Sequence, residues 1–227
     1  MTNAPDRQDF ITRGAVRVRN ALSEQDLQAI EAALSDVATD TAGVRLAGNL
    51  ALRAQLAPQK GPAVLTAAAL GAPPFPVRAV LFDKGAENNW GLGWHQDRTI
   101  VVKDRSEADG FGPWSVKAGM QHVTPPFEIL EAMATVRIHL DPVDEDNAPL
   151  LFLPSSHRMG RLSEADVKLV ADQTPESTCL AERGDIWIYS TPIVHASRPA
   201  TKPSRRRVLQ VDFATTALPE GLDWLGV

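Results

Sequence analysis

His95 and Asp97 stand two positions apart in the stretch Trp94-His95-Gln96-Asp97. In extended backbone that spacing puts both side chains on one face, so an imidazole and a carboxylate can meet one cation. A third ligand must come from elsewhere in the chain. His195 follows a turn signal, Gly184-Asp185, and an apolar run, Ile186-Trp187-Ile188-Tyr189, which marks the expected exit of a second strand. Two histidines and one carboxylate leave coordination positions open. That set suits non-haem Fe(II), which needs vacancies for a chelating co-substrate and O2. Each histidine taken singly reads more readily as structural, and the combination with a basic residue downstream carries the metal reading. Catalytic zinc uses the same ligand types, so a zinc-dependent hydrolase is an alternative. A non-catalytic jelly roll that binds a small acid is another. The acceptors that would fix the second nitrogen of each ring are not legible in the sequence.

The basic residue is sought among Arg205, Arg206 and Arg207, on the strand that leaves the His195 turn. Alternation sends Arg206 one way and its two neighbours the other, so only one parity can face a buried pocket. An inward guanidinium needs a partner, and a dicarboxylate co-substrate supplies one through the planar fork. Ser197, two residues past His195, could add a hydroxyl to the same carboxylate.

The elements that must position these groups fall into two halves. Val16 and Val18 alternate with Arg17 and Arg19, a half-buried strand. Ser23 with Asp26 opens a helix whose Leu27, Ile30, Leu34 and Val37 form one apolar stripe. Between Val44 and Leu70 an Ala- and Leu-rich stretch is cut into two short helices by Pro58 and Gly61-Pro62, and Gly71-Ala72-Pro73-Pro74 ends the helical half. Strands are expected at Val77 to Asp83, Thr99 to Val102, Thr135 to Leu140, Leu150 to Leu153, Ile186 to Ser190 and Val208 to Ala214, with one helix from Ser163 to Ala171. Short spaced strands without long intervening helices point to a mainly β fold with flanking helices, a sandwich or jelly roll. One domain is expected over 1–227: a strand and bracing helices over 1–75, and a jelly-roll core over 76–215. A loop over 103–129, rich in glycine and proline, is expected as a lid. Trp90 and Trp94 are expected to wall the pocket.

Composition bounds the rest. The 227 residues are 44% hydrophobic and 22% charged, an ordinary globular balance with enough length for one sizeable core. A net charge of −5 without a basic block argues against a nucleic-acid surface. The single cysteine, Cys179, permits no internal disulfide and fits a reducing compartment. No apolar leader and no membrane-length stretch is evident, so a cytoplasmic protein acting on a small molecule is expected.

The sequence around these residues resembles the phytanoyl-CoA dioxygenase family of Fe(II)/2-oxoglutarate-dependent oxygenases. The likeness is carried by Phe82-Asp83-Lys84, Asn89-Trp90, Trp94-His95-Gln96-Asp97, Asp146-Asn147-Ala148-Pro149-Leu150, Leu153-Pro154-Ser155-Ser156-His157, Gly184-Asp185, His195-Ala196-Ser197 and Arg206. The resemblance implies a cupin-like double-stranded β-helix with iron on His95, Asp97 and His195 and the far carboxylate of 2-oxoglutarate on Arg206. It also implies release of succinate and CO2 as a C–H bond is hydroxylated. Arg137 shares a strand face with His139, on a strand resembling one that contributes a co-substrate contact in the family, and is a second candidate there. Lys117, Gln121 and His122 in the expected lid are candidates to meet the primary substrate, and His157 reads as structural. Two departures stand out. Family members commonly have glycine where this chain has Ala148 and Ser155. Halogenating relatives replace the carboxylate that is intact here as Asp97. The negative net charge and lack of an evident basic groove do not favour an acyl-CoA substrate.

Overall fold

The computed structural model describes residues 4–37, 43–219 and 221–227. In chain order it contains α1 (Arg7–Arg13), β1 (Ala15–Val18), α2 (Glu24–Ala33), β2 (Val44–Leu46), α3 (Leu50–Gln55), α4 (Gly61–Leu70), β3 (Phe75–Lys84), β4 (Leu92–His95) and β5 (Ile100–Val102). These are followed by β6 (Trp114–Lys117), β7 (Met120–Val123), α5 (Phe127–Glu131), β8 (Ala134–His139), β9 (Leu150–Phe152), α6 (Glu164–Gln173), β10 (Ser177–Cys179), β11 (Ile186–Ser190), β12 (His195–Ser197) and β13 (Arg206–Ala214). The local rules that predict the helices are visible at their ends. Ser23 and Asp26 form a reciprocal capping box on α2, as do Ser163 and Asp166 on α6, and Gly71 closes α4 in the left-handed conformation.

A six-stranded sheet, in the order β1-β11-β8-β13-β3-β2, and a four-stranded sheet, β10-β9-β12-β4, carry the mainly β jelly-roll fold, with antiparallel pairing throughout. The pleat of the larger sheet divides labour cleanly. Ala79 and Leu81 on β3, Val136 and Ile138 on β8, Ile186 and Ile188 on β11, and Leu209, Val211 and Phe213 on β13 face the helices, packing with Leu27, Ile30, Leu52 and Leu65. The alternate residues face the other way: Arg78, Phe82 and Lys84 on β3, Arg137 on β8, and Arg206 and Gln210 on β13 line an internal cavity. Burying the apolar set against helices thus leaves the polar set nowhere to go but inward.

Three expectations change. The stretch 103–129 is not a bare loop: β6 and β7 form a hairpin that pairs with β5 in a third small sheet, anchored by Val102, Val123, Leu130 and Met133. Its glycines and prolines punctuate a turn and entry segments rather than a structureless span. The start of the Ala- and Leu-rich stretch is the edge strand β2, paired with β3, and α1 precedes the first strand. Trp94 does not wall the cavity. It lies one residue from His95 on the pleat and packs instead with Leu153, Val167 and Val194.

Candidate metal and co-substrate site

Strands β4 and β12 run side by side with His95 directly opposite His195, so the two imidazoles leave the same face of the smaller sheet. Their ring centroids lie 4.2 Å apart. Asp97 completes the group two residues beyond His95, with its Oδ2 3.9 Å from His195 Nε2. One donor atom from each of the three lies within 4.8 Å of the others. His95 Nδ1 is 2.8 Å from the Gly93 carbonyl and His195 Nδ1 is 2.9 Å from the Ile193 carbonyl. Each ring therefore donates from Nδ1 to the backbone two residues before it, which leaves Nε2 as the lone-pair face. These are the acceptors that the sequence leaves unidentified.

Electrostatics agree with a cation between them. Burial, and then the neighbouring His95, hold His195 down at about 4, so its imidazole is neutral near pH 7. Burial pushes the Asp97 carboxyl up, but His195, Arg78, His95 and Lys117 more than offset it and hold the group below its ordinary value. Asp97 Oδ2 is buried yet accepts no hydrogen bond among the described residues. An ionised carboxylate oxygen without a hydrogen-bond partner among the described residues, beside two lone-pair nitrogens, is a donor set that a divalent cation would satisfy, so it fits iron.

Gln96, pointing away from His95 and Asp97, fixes the backbone between them. It is 3% exposed, its Nε2 donates to the Pro192 and Gly160 carbonyls at 2.9 and 3.0 Å, and its Oε1 accepts from Leu162 N at 2.9 Å. Pro192 and Ile193 open the turn into His195, so one amide ties both ligand strands together.

Across the cavity, the parity argument for the arginines holds. Arg205 turns out to Asp83, and Arg207 pairs with Asp141 and Glu31 at the foot of α2. Arg206 turns in, is 2% exposed, and leaves its Nε without a partner among the described residues. Burial, and then Arg137, depress it to about 9. Arg137 is buried on the adjacent strand with its own Nε unpaired, donating from Nη1 to Gln210 at 2.8 Å and lying over the Phe82 ring. Lys84 sits opposite Arg206 in register and is pulled down to about 8 by burial, Arg206 and Arg137. Its ammonium donates to the Trp90 carbonyl at 2.8 Å and lies over the Trp90 ring. Lys84 belongs to the Phe82-Asp83-Lys84 stretch, and alternation from Arg78 along β3 places it on the inner face. Three cations without a carboxylate partner among the described residues form a cradle for an anionic ligand.

Together these groups line a cavity of about 420 Å³. Ser197, Lys117 and His122 also line it, while Gln121 does not, because it alternates with His122 on β7. His157 lies apart, against the Ile11 carbonyl. Ala148 and Ser155, where glycine is common in the resembling family, both adopt left-handed backbone, with φ of 52° and 68°. The turns keep glycine-type geometry and carry its strain in other residues.

The sequence profile of the phytanoyl-CoA dioxygenase family matches residues 10–208. Among solved structures, AviO1 from Streptomyces viridochromogenes Tue57 is 19% identical, with 94% of this chain and 95% of that one covered and a TM-score of 0.66. The epimerase SnoN, in complex with Fe3+, alpha ketoglutarate and nogalamycin RO, is 15% identical over 92% of this chain and 81% of its own, at a TM-score of 0.68. EctD from S. alaskensis, with 2-oxoglutarate and 5-hydroxyectoine, is 14% identical over 92% and 74%, at 0.65. No curated protein matches by sequence.

Proposed function

Because the chain belongs to the phytanoyl-CoA dioxygenase family, and is an Fe(II)- and 2-oxoglutarate-dependent oxygenase, we propose that His95, Asp97 and His195 hold its iron and Arg206 receives its co-substrate. Iron with 2-oxoglutarate and O2 supplies the oxidant for a C–H bond, the co-substrate leaving as succinate and CO2. The two Nδ1 to carbonyl hydrogen bonds orient the imidazoles so that neither ring can turn its lone pair away. Gln96 keeps the two ligand strands in register.

Arg206 takes the far carboxylate through its fork, Arg137 and Lys84 add positive potential, and Ser197 offers a hydroxyl from the wall. Phe82, Leu92 and Leu150 line the same cavity and limit water around the reacting centre. The observation that carries this reading is the pairing of an unsatisfied donor triad with an unsatisfied guanidinium in one cavity. A hydrolytic zinc site would account for the first and leave Arg206 unexplained. With Asp97 in place, hydroxylation is favoured over halogenation.

The substrate is a small molecule handled by one domain spanning the chain. Among the described residues no helix is long and apolar enough to cross a membrane. The lone cysteine, Cys179, is buried and fits the cytoplasm. A succinate-release screen over candidate small acids and alcohols tests the reading. Substrate-dependent succinate formation that needs both Fe(II) and 2-oxoglutarate is expected, and metal-dependent hydrolysis without succinate would replace the proposal with the zinc alternative.

A further inference from the structure

The cavity is far more basic than the chain that encloses it. Net charge is −5, yet Arg45, Arg78, Lys84, Lys117, Arg137 and Arg206 all line it against Asp97 as the sole lining carboxylate among the described residues. These cations fall into two groups: Lys84 and Arg206 at one end of β3 with Arg137 midway along the larger sheet, and Arg78 at the other end with Arg45 and Lys117 near it, Arg45 standing on the same row as Arg137 but three strands across. Arg206 pairs with Lys84 in register, and Arg78 pairs with Asp212, six residues along β3 from Lys84. At about 3.3 Å per residue the separation is about 20 Å. 2-Oxoglutarate has four C–C bonds of about 1.5 Å each, so a molecule held at Arg206 spans about 6 Å at most and leaves the second group unused.

That second group comprises Arg45 on β2, Arg78 on β3, and Lys117 and His122 on the hairpin. Arg78 is paired with Asp212 at 3.3 Å. Arg45 and Lys117 have no carboxylate partner among the described residues, and Arg45 Nε is buried and unbonded. His122 is 2% exposed, and neither of its ring nitrogens has a partner among the described residues. Burial, and then Arg78, Lys117 and Arg45, push His122 down to about 4, which places those three cations around it. Lys117 also borders an outer depression of about 460 Å³ that shares His95, Asp97 and Thr99 with the cavity, so Lys117 stands where the cavity meets solvent.

We propose that the primary substrate carries an oxyanion, a carboxylate or a phosphate ester, and that Arg45, Lys117 and His122 bind it at the end of the cavity opposite Arg206. The inference rests on the reading that the Arg206 end takes 2-oxoglutarate. It deepens that reading by giving the substrate a charge and a pole: the anion anchors away from the co-substrate, and the attached carbon skeleton extends towards the triad. A cationic substrate would meet uncompensated like charge on entry.

Calorimetric titration of propionate, inorganic phosphate and neutral propionamide into the anaerobic Fe(II)·2-oxoglutarate protein tests this. At least one anion should bind ten times more tightly than propionamide without displacing 2-oxoglutarate, and the tighter of the two names the oxyanion. Arg45→Gln and Lys117→Gln should each weaken that anion at least fivefold, whereas the loss in 2-oxoglutarate binding should fall to Arg206→Gln. Lys117 lies on an exposed hairpin strand, so its variant remains informative if Arg45→Gln fails to fold. Failure of both anions to bind, equal binding of propionamide, or indifference to Lys117→Gln would overturn the proposal. If no iron complex with 2-oxoglutarate forms, the functional reading fails. The same titration on metal-free protein, comparing Lys117→Gln with Arg206→Gln, still decides the anion site.

Discussion

Replacing Arg206 with Gln should make the protein more stable and a poorer binder of 2-oxoglutarate. The guanidinium is nearly sealed from water, lacks a carboxylate partner among the described residues, and faces Arg137. Its depression from the ordinary guanidinium value to about 9 corresponds to about 5 kcal/mol against folding. Water entering the cavity screens part of this, leaving about 1–3 kcal/mol. The sign follows from linkage: a base whose folded pKa lies below its unfolded one opposes folding wherever both states are charged. The penalty is therefore fully present below about pH 9 and fades as pH rises from there towards the ordinary guanidinium range. Glutamine removes the charge at similar volume, so the ligand-free variant should melt higher, by about 2–4 °C per kcal/mol recovered. Binding reverses the balance. Losing a buried, hydrogen-bonded charge pair costs about 2–4 kcal/mol, or roughly 30- to 700-fold in 2-oxoglutarate affinity. Scanning calorimetry of both proteins, ligand-free and then with anaerobic Fe(II) and rising 2-oxoglutarate, reads both effects. The wild-type midpoint should climb with ligand while the variant's stays nearly flat. A lower ligand-free midpoint for the variant together with an unchanged ligand response would show that Arg206 is a structural residue.

Other perturbations probe the supports of the site. Gln96→Leu strands Leu162 N and the Gly160 and Pro192 carbonyls, and should cost about 2–4 kcal/mol in denaturant unfolding while weakening iron binding; unchanged iron affinity would detach Gln96 from the ligands. Ala148→Gly relieves a left-handed alanine and should gain about 0.5–1 kcal/mol of stability after the glycine entropy cost, whereas a loss would show the turn is unstrained. Burial pushes the Cys179 thiol up to about 12 from 9.0, so iodoacetamide at pH 8 should label it only on unfolding. Because the folded value is the higher, this thiol's contribution to stability is intact below pH 9 and is lost as pH rises from 9 towards 12.

Much of the site was legible because its signals are local. The His-x-Asp spacing, the turn before His195 and the inward parity of Arg206 each follow from period-two backbone, and both reciprocal helix caps follow from Ser and Asp three apart. Other parts were hidden for physical reasons. The imidazole acceptors are backbone carbonyls, which every residue carries and no sequence distinguishes. Arg45 sits on a three-residue edge strand within a run whose composition favours helix, so tertiary pairing with β3 overrides propensity. The β6–β7 hairpin was masked by its glycines and prolines. Lys84 and Trp94 were within reach: counting alternation outward from Arg78 and His95 puts one inside the cavity and the other behind it. The basic cavity escaped because net charge averages over the chain, while the inward cations come from four separate elements of the larger sheet and one of the hairpin.

His95, Asp97 and His195 are proposed to share one Fe(II) that 2-oxoglutarate then chelates. Anaerobic titration of Fe(II) into the protein with 2-oxoglutarate, followed by visible absorption, tests it most directly. A metal-to-ligand charge-transfer band saturating at one iron per chain is expected, together with its loss in His95→Ala, Asp97→Ala and His195→Ala variants that remain folded. A band that survives all three substitutions, or the absence of any band in the wild-type protein, would contradict it.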